Sequence, residues 1–279
     1  MDQIEIRLLF ESDIPAAMRL KEAAGWNQTE TDWLRLLKLE PNGCFAAVED
    51  DQLVGTTTTT TYQGDLAWVG MVLVDPQHRR RGIATRLMET ALLYLKEKVA
   101  VIKLDATADG RPVYERFGFK TESLVERWRG NVKTQPVERE EAAIDREALL
   151  ALDHLAFGAD RSELIKLLID DSEFAPSLVR NERGSLTGYA LARAGTNAAY
   201  IGPVVTTETA QLERLLDRIL VQFNGSSVYI DFSNECPVSS TVLAERGFVK
   251  ERNLIRMSLG SRSVKTSPLV IAIAGPEIG

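Results

Sequence analysis

The chain has 279 residues, 44% of them hydrophobic and 26% charged, with a formal net charge of −7. That is an ordinary globular composition, long for one domain and comfortable for two. An acidic chain is a poor general nucleic-acid binder, which is basic over a whole face.

Other classes drop out as quickly. Cys44 and Cys236 form neither a metal spacing nor a disulfide framework, and two histidines cannot build a histidine-rich metal site. No apolar run reaches membrane-spanning length. Met1 to Glu5 lacks the basic-then-apolar order of a signal peptide. The expectation is a cytoplasmic protein with no metal, no nucleic-acid partner and no membrane partner, as monomer or homodimer.

Ile4 to Phe10 alternates and reads as a strand. Asp13 can cap the helix that carries Met18 and Leu20. A second short helix covers about Glu30 to Leu39 and ends at Pro41-Asn42-Gly43. Cys44 to Val48 is a strand, Glu49-Asp50-Asp51 a turn. Leu53 to Thr61, with six consecutive threonines, reads as strand because threonine is β-branched and strand signals flank it. Gly64-Asp65 is a hairpin turn signal. Leu66 to Val74 is the strand that follows.

Next comes Asp75-Pro76-Gln77-His78-Arg79-Arg80-Arg81-Gly82. A helix begins at about Gly82, because Ala84, Leu87, Met88, Ala91, Leu92 and Leu95 make one apolar face of a 3.6-residue period. The junction is suited to anions. The first turn has free N–H groups and partial positive charge, Gly82 lets an oxygen approach the backbone, and the arginines add forked donors. A pyrophosphate fits such a site. Val101 to Asp105 is then a strand, Ala106 to Gly110 a loop, Pro112 to Phe117 a short helix, and Thr121 to Trp128 a closing strand.

Asn131 to Glu141 is polar, contains Pro136 and reads as a linker. Helices at Ala148–Phe157 and Ser162–Ile169 follow, with strands at Ser177–Arg180, Gly188–Arg193 and Ala199–Val205. Leu212, Leu215, Leu216, Ile219, Leu220 and Phe223 mark an amphipathic helix. Ser227–Phe232 is a strand, Thr241–Arg246 a short helix, and Gly247-Phe248 opens a last hairpin. After a polar stretch from Ser261 to Ser267, Leu269 to Ala274 is an apolar strand with no evident docking place.

The second half echoes the first. Val113 to Phe119 answers to Val242 to Phe248, and each follows a strand ending in aliphatic-Asp, at Asp105 and Asp231. Two copies of one fold are the simplest account. They differ where chemistry would sit: Val205-Thr206-Thr207-Glu208 has neither arginine nor glycine, and Leu243 stands where the first copy has Tyr114.

Arg79 to Ala84 fits Gln/Arg-x-x-Gly-x-Gly/Ala, and Tyr114 to Phe119 fits Tyr-x-x-x-Gly-Phe. With the strand ending Val74-Asp75-Pro76, residues 1–130 resemble the GNAT-superfamily N-acetyltransferases. Nearly the whole chain, with Tyr200 to Val205 and Arg256-Met257, resembles the two-domain bacterial GNAT proteins of the YitH-like type. The resemblance implies an α/β (α+β) fold of two tandem GNAT-like domains, each a mixed, mostly antiparallel central sheet flanked by helices. Residues 1–135 would bind acetyl-CoA. Residues 136–279 would be a degenerate copy that contributes to the acceptor site.

The implied activity is acetyl-CoA-dependent transfer to the primary amine of a small molecule or amino acid. The alternatives are a protein N-acetyltransferase, or an inactive acyl-CoA-binding or regulatory module. Arg79, Arg80, Arg81, Gly82, Ile83, Ala84 and Thr85 would hold the pyrophosphate, and the backbone of Leu73 and Val74 the pantetheine arm. Thr107 stands where many relatives have a cofactor-contacting asparagine. Tyr114 would be the general acid. The strand from Leu66 to Leu73 lacks the carboxylate many relatives carry, so Asp105 or a water chain would take the amine's proton, or the acceptor would arrive partly neutral. Trp68, Tyr189, Arg193, Asp231 and Arg256 would line the acceptor pocket.

Overall fold

The computed structural model describes residues 4–63, 65–133, 144–236, 240–260 and 267–279. Most of the expected linker at Asn131–Glu141, Gly64 of the expected turn, and nearly all of the polar stretch at Ser261–Ser267 lie outside them. Among the described residues no helix is long and apolar enough to cross a membrane.

The chain forms two compact units: Met1–Thr121 with Met257–Val264 and Glu277–Gly279, and Glu122–Arg256 with Lys265–Pro276. The sequence suggests two contiguous segments meeting at 135/136, a position outside the described residues. The units are instead interleaved along the chain, and strand pairing gives the reason. The strand expected to close the first copy, β6 (Lys120–Asn131), pairs from Val125 to Asn131 with β10 (Ser227–Ser233) of the second unit. The last residues of β11 (Phe248–Gly260) belong to the first unit, where Gly260 packs so closely that a Cβ would stand 2.3 Å from the Ala100 carbonyl.

In the first unit five strands lie in chain order: β1 (Glu5–Leu8), β2 (Cys44–Glu49), β3 (Gln52–Tyr62), β4 (Leu66–Val74) and β5 (Val101–Ala106). All neighbours are antiparallel except β4 and β5. The helices are α1 (Ile14–Ala23), α2 (Glu30–Leu39), α3 (Ile83–Leu95) and α4 (Arg111–Arg116). The face expected of α3 is buried at Leu87, Met88, Ala91 and Leu95, joined by Ile83. It packs on Phe45, Ala47 and Val54 of β2 and β3. The threonine run is strand, and Thr56 to Thr60 are all buried.

The cap expected of Asp13 is made elsewhere. A 3₁₀ turn at Glu11–Asp13 precedes α1, so the Asp13 carboxylate accepts the Phe10 amide at 2.9 Å and pairs with Arg7 at 2.7 Å. It makes no cap bond to α1.

The second unit repeats the plan with α5 (Arg146–Phe157), α6 (Ser162–Asp170), β7 (Ser177–Arg180), β8 (Leu186–Arg193), β9 (Ala199–Thr206), α7 (Leu212–Leu220) and α8 (Thr241–Ala244). Five apolar residues of α7, Leu212, Leu215, Leu216, Ile219 and Leu220, sink into a core with Val179, Ile201 and Ile230. The apolar stretch without a docking place is β12 (Val270–Ala272), which lies between β9 and β10. No hairpin opens at Gly247-Phe248. β11 runs unbroken for 13 residues, because the left-handed glycines, Gly247 and Gly260, stand just before it and at its end.

Buried charge holds this unit together. Arg127 grips Asp231 through two bonds of 2.8 and 2.6 Å, and the Tyr200 hydroxyl donates to the same carboxylate at 3.1 Å. Arg161 pairs with Asp153 at 2.9 Å, and the Tyr189 hydroxyl donates to Asp153 too. Removing one partner of such a pair strands the other without water. Asp231→Ala is expected to destabilise the protein by about 3–5 kcal/mol in denaturant unfolding. A loss below about 1 kcal/mol, the size of a surface pair, would show that Asp231 does not anchor the core.

Candidate active site

The site starts from a strand pair that comes apart. β4 and β5 are paired over Leu66↔Val101, Ala67↔Ile102 and Trp68↔Lys103, although β4 continues to Val74 and β5 to Ala106. Beyond Trp68, β4 bulges: Met71 has a left-handed φ of 48° and the register to β3 shifts between Thr56 and Thr58. The Thr56 hydroxyl donates to the Met71 carbonyl at 2.8 Å and satisfies one of the groups the bulge displaces.

Past the bulge the ladder alternation decides which amides face the gap. Asp75 N–H donates to the Val54 carbonyl at 2.9 Å, so Asp75 and, two residues back, Leu73 point toward β3. The Val74 amide points the other way, to the side from which β5 has diverged. Of the two amides expected along a pantetheine arm, that of Val74 faces the notch.

The turn that follows is fixed by its own carboxylates. Asp75 accepts the Gln77 amide at 2.8 Å and approaches His78 at 3.2 Å. Partial burial works against its charge, but the Gln77 amide, His78 and Arg79 together hold it below the usual carboxylate range. Arg81 is committed to Glu49 through two bonds of 2.7 and 2.5 Å, and His78 lies 3.3 Å from the same carboxylate. The Arg81 hydrogen bonds hold Glu49 below its ordinary pKa. Arg81 therefore anchors the turn, while Arg79 and Arg80 are exposed.

The backbone reverses at Arg80 and Gly82, with φ of 62° and 78°. Glycine meets that geometry at no steric cost. The first intrahelical bond is Arg86 N–H to the Gly82 carbonyl at 3.0 Å, which leaves the amides of Ile83, Ala84 and Thr85 without a helical acceptor. With Arg79 and Arg80 they make a donor set for a phosphate. Arg86, just beyond, turns to the Ile4 carbonyl at 2.7 Å.

On the far side of the notch, Asp105 is half-buried on β5 and already engaged with a neighbour. Thr107 spends its hydroxyl on the Gly110 amide at 3.2 Å, at the start of α4. Tyr114 sits on α4, half-buried, its ring edge-on to Phe119 at 6.2 Å. Burial raises its pKa, so the phenol keeps its proton. Among the described residues its hydroxyl has no hydrogen-bond partner. Trp68 is buried on β4.

The other expected acceptor residues belong to the second unit. Tyr189 belongs to the Asp153–Arg161 network. Arg193 donates to the Ala274 carbonyl at 2.6 Å and stacks over Tyr200, whose hydroxyl bonds Asp231. Arg256 is buried on β11. All four lie in the second unit, and the first three are tied into its interior.

That unit has the equivalent notch, filled. β9 and β10 are parallel over three residue pairs, Val228↔Ala199 to Ile230↔Ile201. β12 then enters between them, with Val270 opposite Val205 and Phe232 opposite Ala272. Leu243 is a core residue, and Glu208 holds Gln211 at 2.6 Å beside the following turn.

A mixed sheet with a splayed parallel pair, built twice, and a cationic strand-to-helix turn beside the first of them define a tandem acyltransferase fold. The comparisons agree with it. A model of the acetyltransferase (GNAT) family matches residues 9–119, and one of an acetyltransferase (GNAT) domain matches 149–268. The chain belongs to the GNAT family of N-acetyltransferases and carries two GNAT domains. It is similar to the uncharacterized N-acetyltransferase YitH of Bacillus subtilis, with 28% identity over 255 residues, 88% of each chain. A crystal structure from Pyrococcus horikoshii, of a protein assigned as an acetyltransferase, shares the fold with a TM-score of 0.83 at 23% identity, over 99% of this chain and 96% of that one. A GCN5-related N-acetyltransferase from Sphaerobacter thermophilus has a TM-score of 0.68 at 15% identity, over 95% and 98%.

The closed notch and Glu208 of the second unit lead to an expected stoichiometry. Calorimetric titration of the full chain with coenzyme A is expected to saturate at one molecule per chain. A second bound molecule would count against the reading of β12 as a plug. Replacing Arg79 and Arg80 together by alanine should raise the dissociation constant at least ~10-fold, about 1.4 kcal/mol, with the fold intact because both are exposed.

Proposed function

We propose that this chain transfers the acetyl group of acetyl-CoA to the primary amine of a small molecule or amino acid, by direct attack of the amine on the thioester. One observation carries the reading. The first unit keeps an open β4/β5 notch, a cationic turn and a tyrosine on the helix after β5, and the second unit has replaced all three.

Each residue then has a physical task. Arg79, Arg80 and the amides of Ile83 to Thr85 bind the pyrophosphate. Arg81 acts through Glu49, holding the turn in shape. The Val74 amide binds the arm that leads the thioester into the notch, past the bulge at Met71. This positioning makes attack effectively unimolecular.

The amine nitrogen forms its bond to the carbonyl carbon as the carbon–sulfur bond breaks. The leaving thiolate needs a proton, and Tyr114 supplies it. A tyrosine whose pKa is raised by burial is fully protonated at neutral pH, and among the described residues its hydroxyl has no other partner to release first. Tyr114→Phe keeps the ring against Phe119 and deletes only the hydroxyl. The turnover number should fall by roughly 10²-fold or more with coenzyme A affinity nearly unchanged. Steady-state thiol release checks this, and a kcat within about twofold of the native value would end the role of Tyr114 as acid.

A further inference from the structure

The amine must also lose a proton, and β4 from Leu66 to Val74 carries no carboxylate to take it. One reaches β4 from a distant part of the first unit. The segment Glu277–Gly279 crosses the face of β3 and β4 opposite α3. A Cβ on Gly70 would stand 2.7 Å from Glu277 Cα and 2.8 Å from its Cβ. The Tyr62 hydroxyl donates to the Ile278 carbonyl at 2.5 Å, and a Cβ on Gly279 would touch the Trp68 ring at 2.8 Å. The β3 partners of these positions are Thr58 for Gly70, Thr60 for Trp68 and Tyr62 for Leu66, so all share one face. Gly55, of opposite parity, faces Ile83 and Leu87 of α3 instead.

Glu277 is buried, and its carboxylate accepts from Gln28 Nε2 at 2.7 Å. On the same face the hydroxyls of Thr58 and Thr60 are buried without a hydrogen-bond partner among the described residues, as is the indole N–H of Trp33 on α2. Buried polar groups are normally paired, so unpaired ones beside a buried carboxylate mark a place shaped for a polar ligand. A carboxylate with hydroxyl acceptors suits a primary ammonium, which offers three donors. Gly70 lies next to Met71, the bulge at which β4 leaves β5.

We propose that Glu277 is the acceptor-side base: it receives the substrate as an ammonium ion and takes one proton from it. This rests on the acetyl-transfer reading. The first proton passes from nitrogen to the Glu277 carboxylate and the freed lone pair forms the C–N bond; the C–S electrons leave on sulfur, which Tyr114 protonates, and the nitrogen's second proton goes to water, from which the Tyr114 phenolate recovers its own. Gln28 is a positioning residue that holds the carboxylate against β4.

The test uses the full chain, acetyl-CoA and two nucleophiles: benzylamine, an ammonium ion near neutral pH, and hydroxylamine, which is not. Glu277→Gln should slow thiol release to benzylamine by ~100-fold or more and abolish the acid limb of its pH–rate profile. Release to hydroxylamine should change by less than about 5-fold, because that nucleophile needs no base to free its lone pair. Coenzyme A affinity should stay unchanged. Glu277→Asp, which keeps the carboxylate, should retain the acid limb, a readout that a merely structural Glu277 would not move. Asp105→Asn, measured alongside, should keep the limb too. If Glu277→Gln turns over benzylamine at the native rate, or if Asp105→Asn removes the limb instead, Glu277 is not the base while the transfer reading stands. If the native chain releases thiol to neither nucleophile, the transfer reading fails and this assignment with it.

Discussion

The site proposed for the first unit depends on β4 and β5 failing to stay paired. Two parallel strands of nine and six residues could bond along five or six positions, yet they are paired at three. The cause is local. A left-handed φ at Met71, a residue with a Cβ, costs of order 1–3 kcal/mol and persists only where its surroundings over-determine it. Here β3 does so: Thr56 bonds the Met71 carbonyl, and pairing resumes on the far side at Thr56↔Leu73. The strand is thereby turned, the Val74 amide points away from β3, and the chain enters the arginine turn that leads into α3, packed on β2 and β3.

The second unit builds the same geometry and closes it. β9 and β10 separate after a similar number of pairs, with their own irregularity between Ala190 and Ala192 on β8. An open notch is a row of unpaired backbone groups, a liability in any sheet. β12 repairs it by bonding to both edges, and its Val270, Ile271 and Ala272 are fully covered. The positions of the cationic turn hold Thr206, Thr207 and Glu208 there instead. Asp231, which reads from sequence as a site residue, is the counter-charge of Arg127 in the interior.

What the sequence makes legible follows the range of the physics. The face of α3, the strand of threonines and the cationic turn are written in residues three to eight apart, and the structure has them where the pattern says. The duty of Arg81 is not legible, because its partner Glu49 lies 32 positions away on β2. Nor is the distribution of β6 and β11 between units, since an alternating strand satisfies either sheet equally well. Leu73 and Val74 look equivalent in sequence, and only the parity fixed by the Asp75–Val54 bond separates them. Glu277 carries no motif, and its contact with Gln28 spans 249 residues.

These placements divide the electrostatics of the reaction between the two faces of one sheet. On the proposed reading Arg79, Arg80 and the α3 N-terminus would attract phosphate and repel an ammonium ion. Thr58, Thr60 and Glu277 lie on the face opposite α3, where they would attract one. A substrate pair of opposite charge is thus sorted before it meets, and the bulge at Met71 joins the two sides. Proton traffic in the proposed reaction would use two groups of opposite state. A buried carboxylate would receive a proton from the amine, and a tyrosine kept neutral by burial would give one to the thiolate. Surroundings that set two ionisable groups in opposite protonation states are what lets acid and base act at one pH.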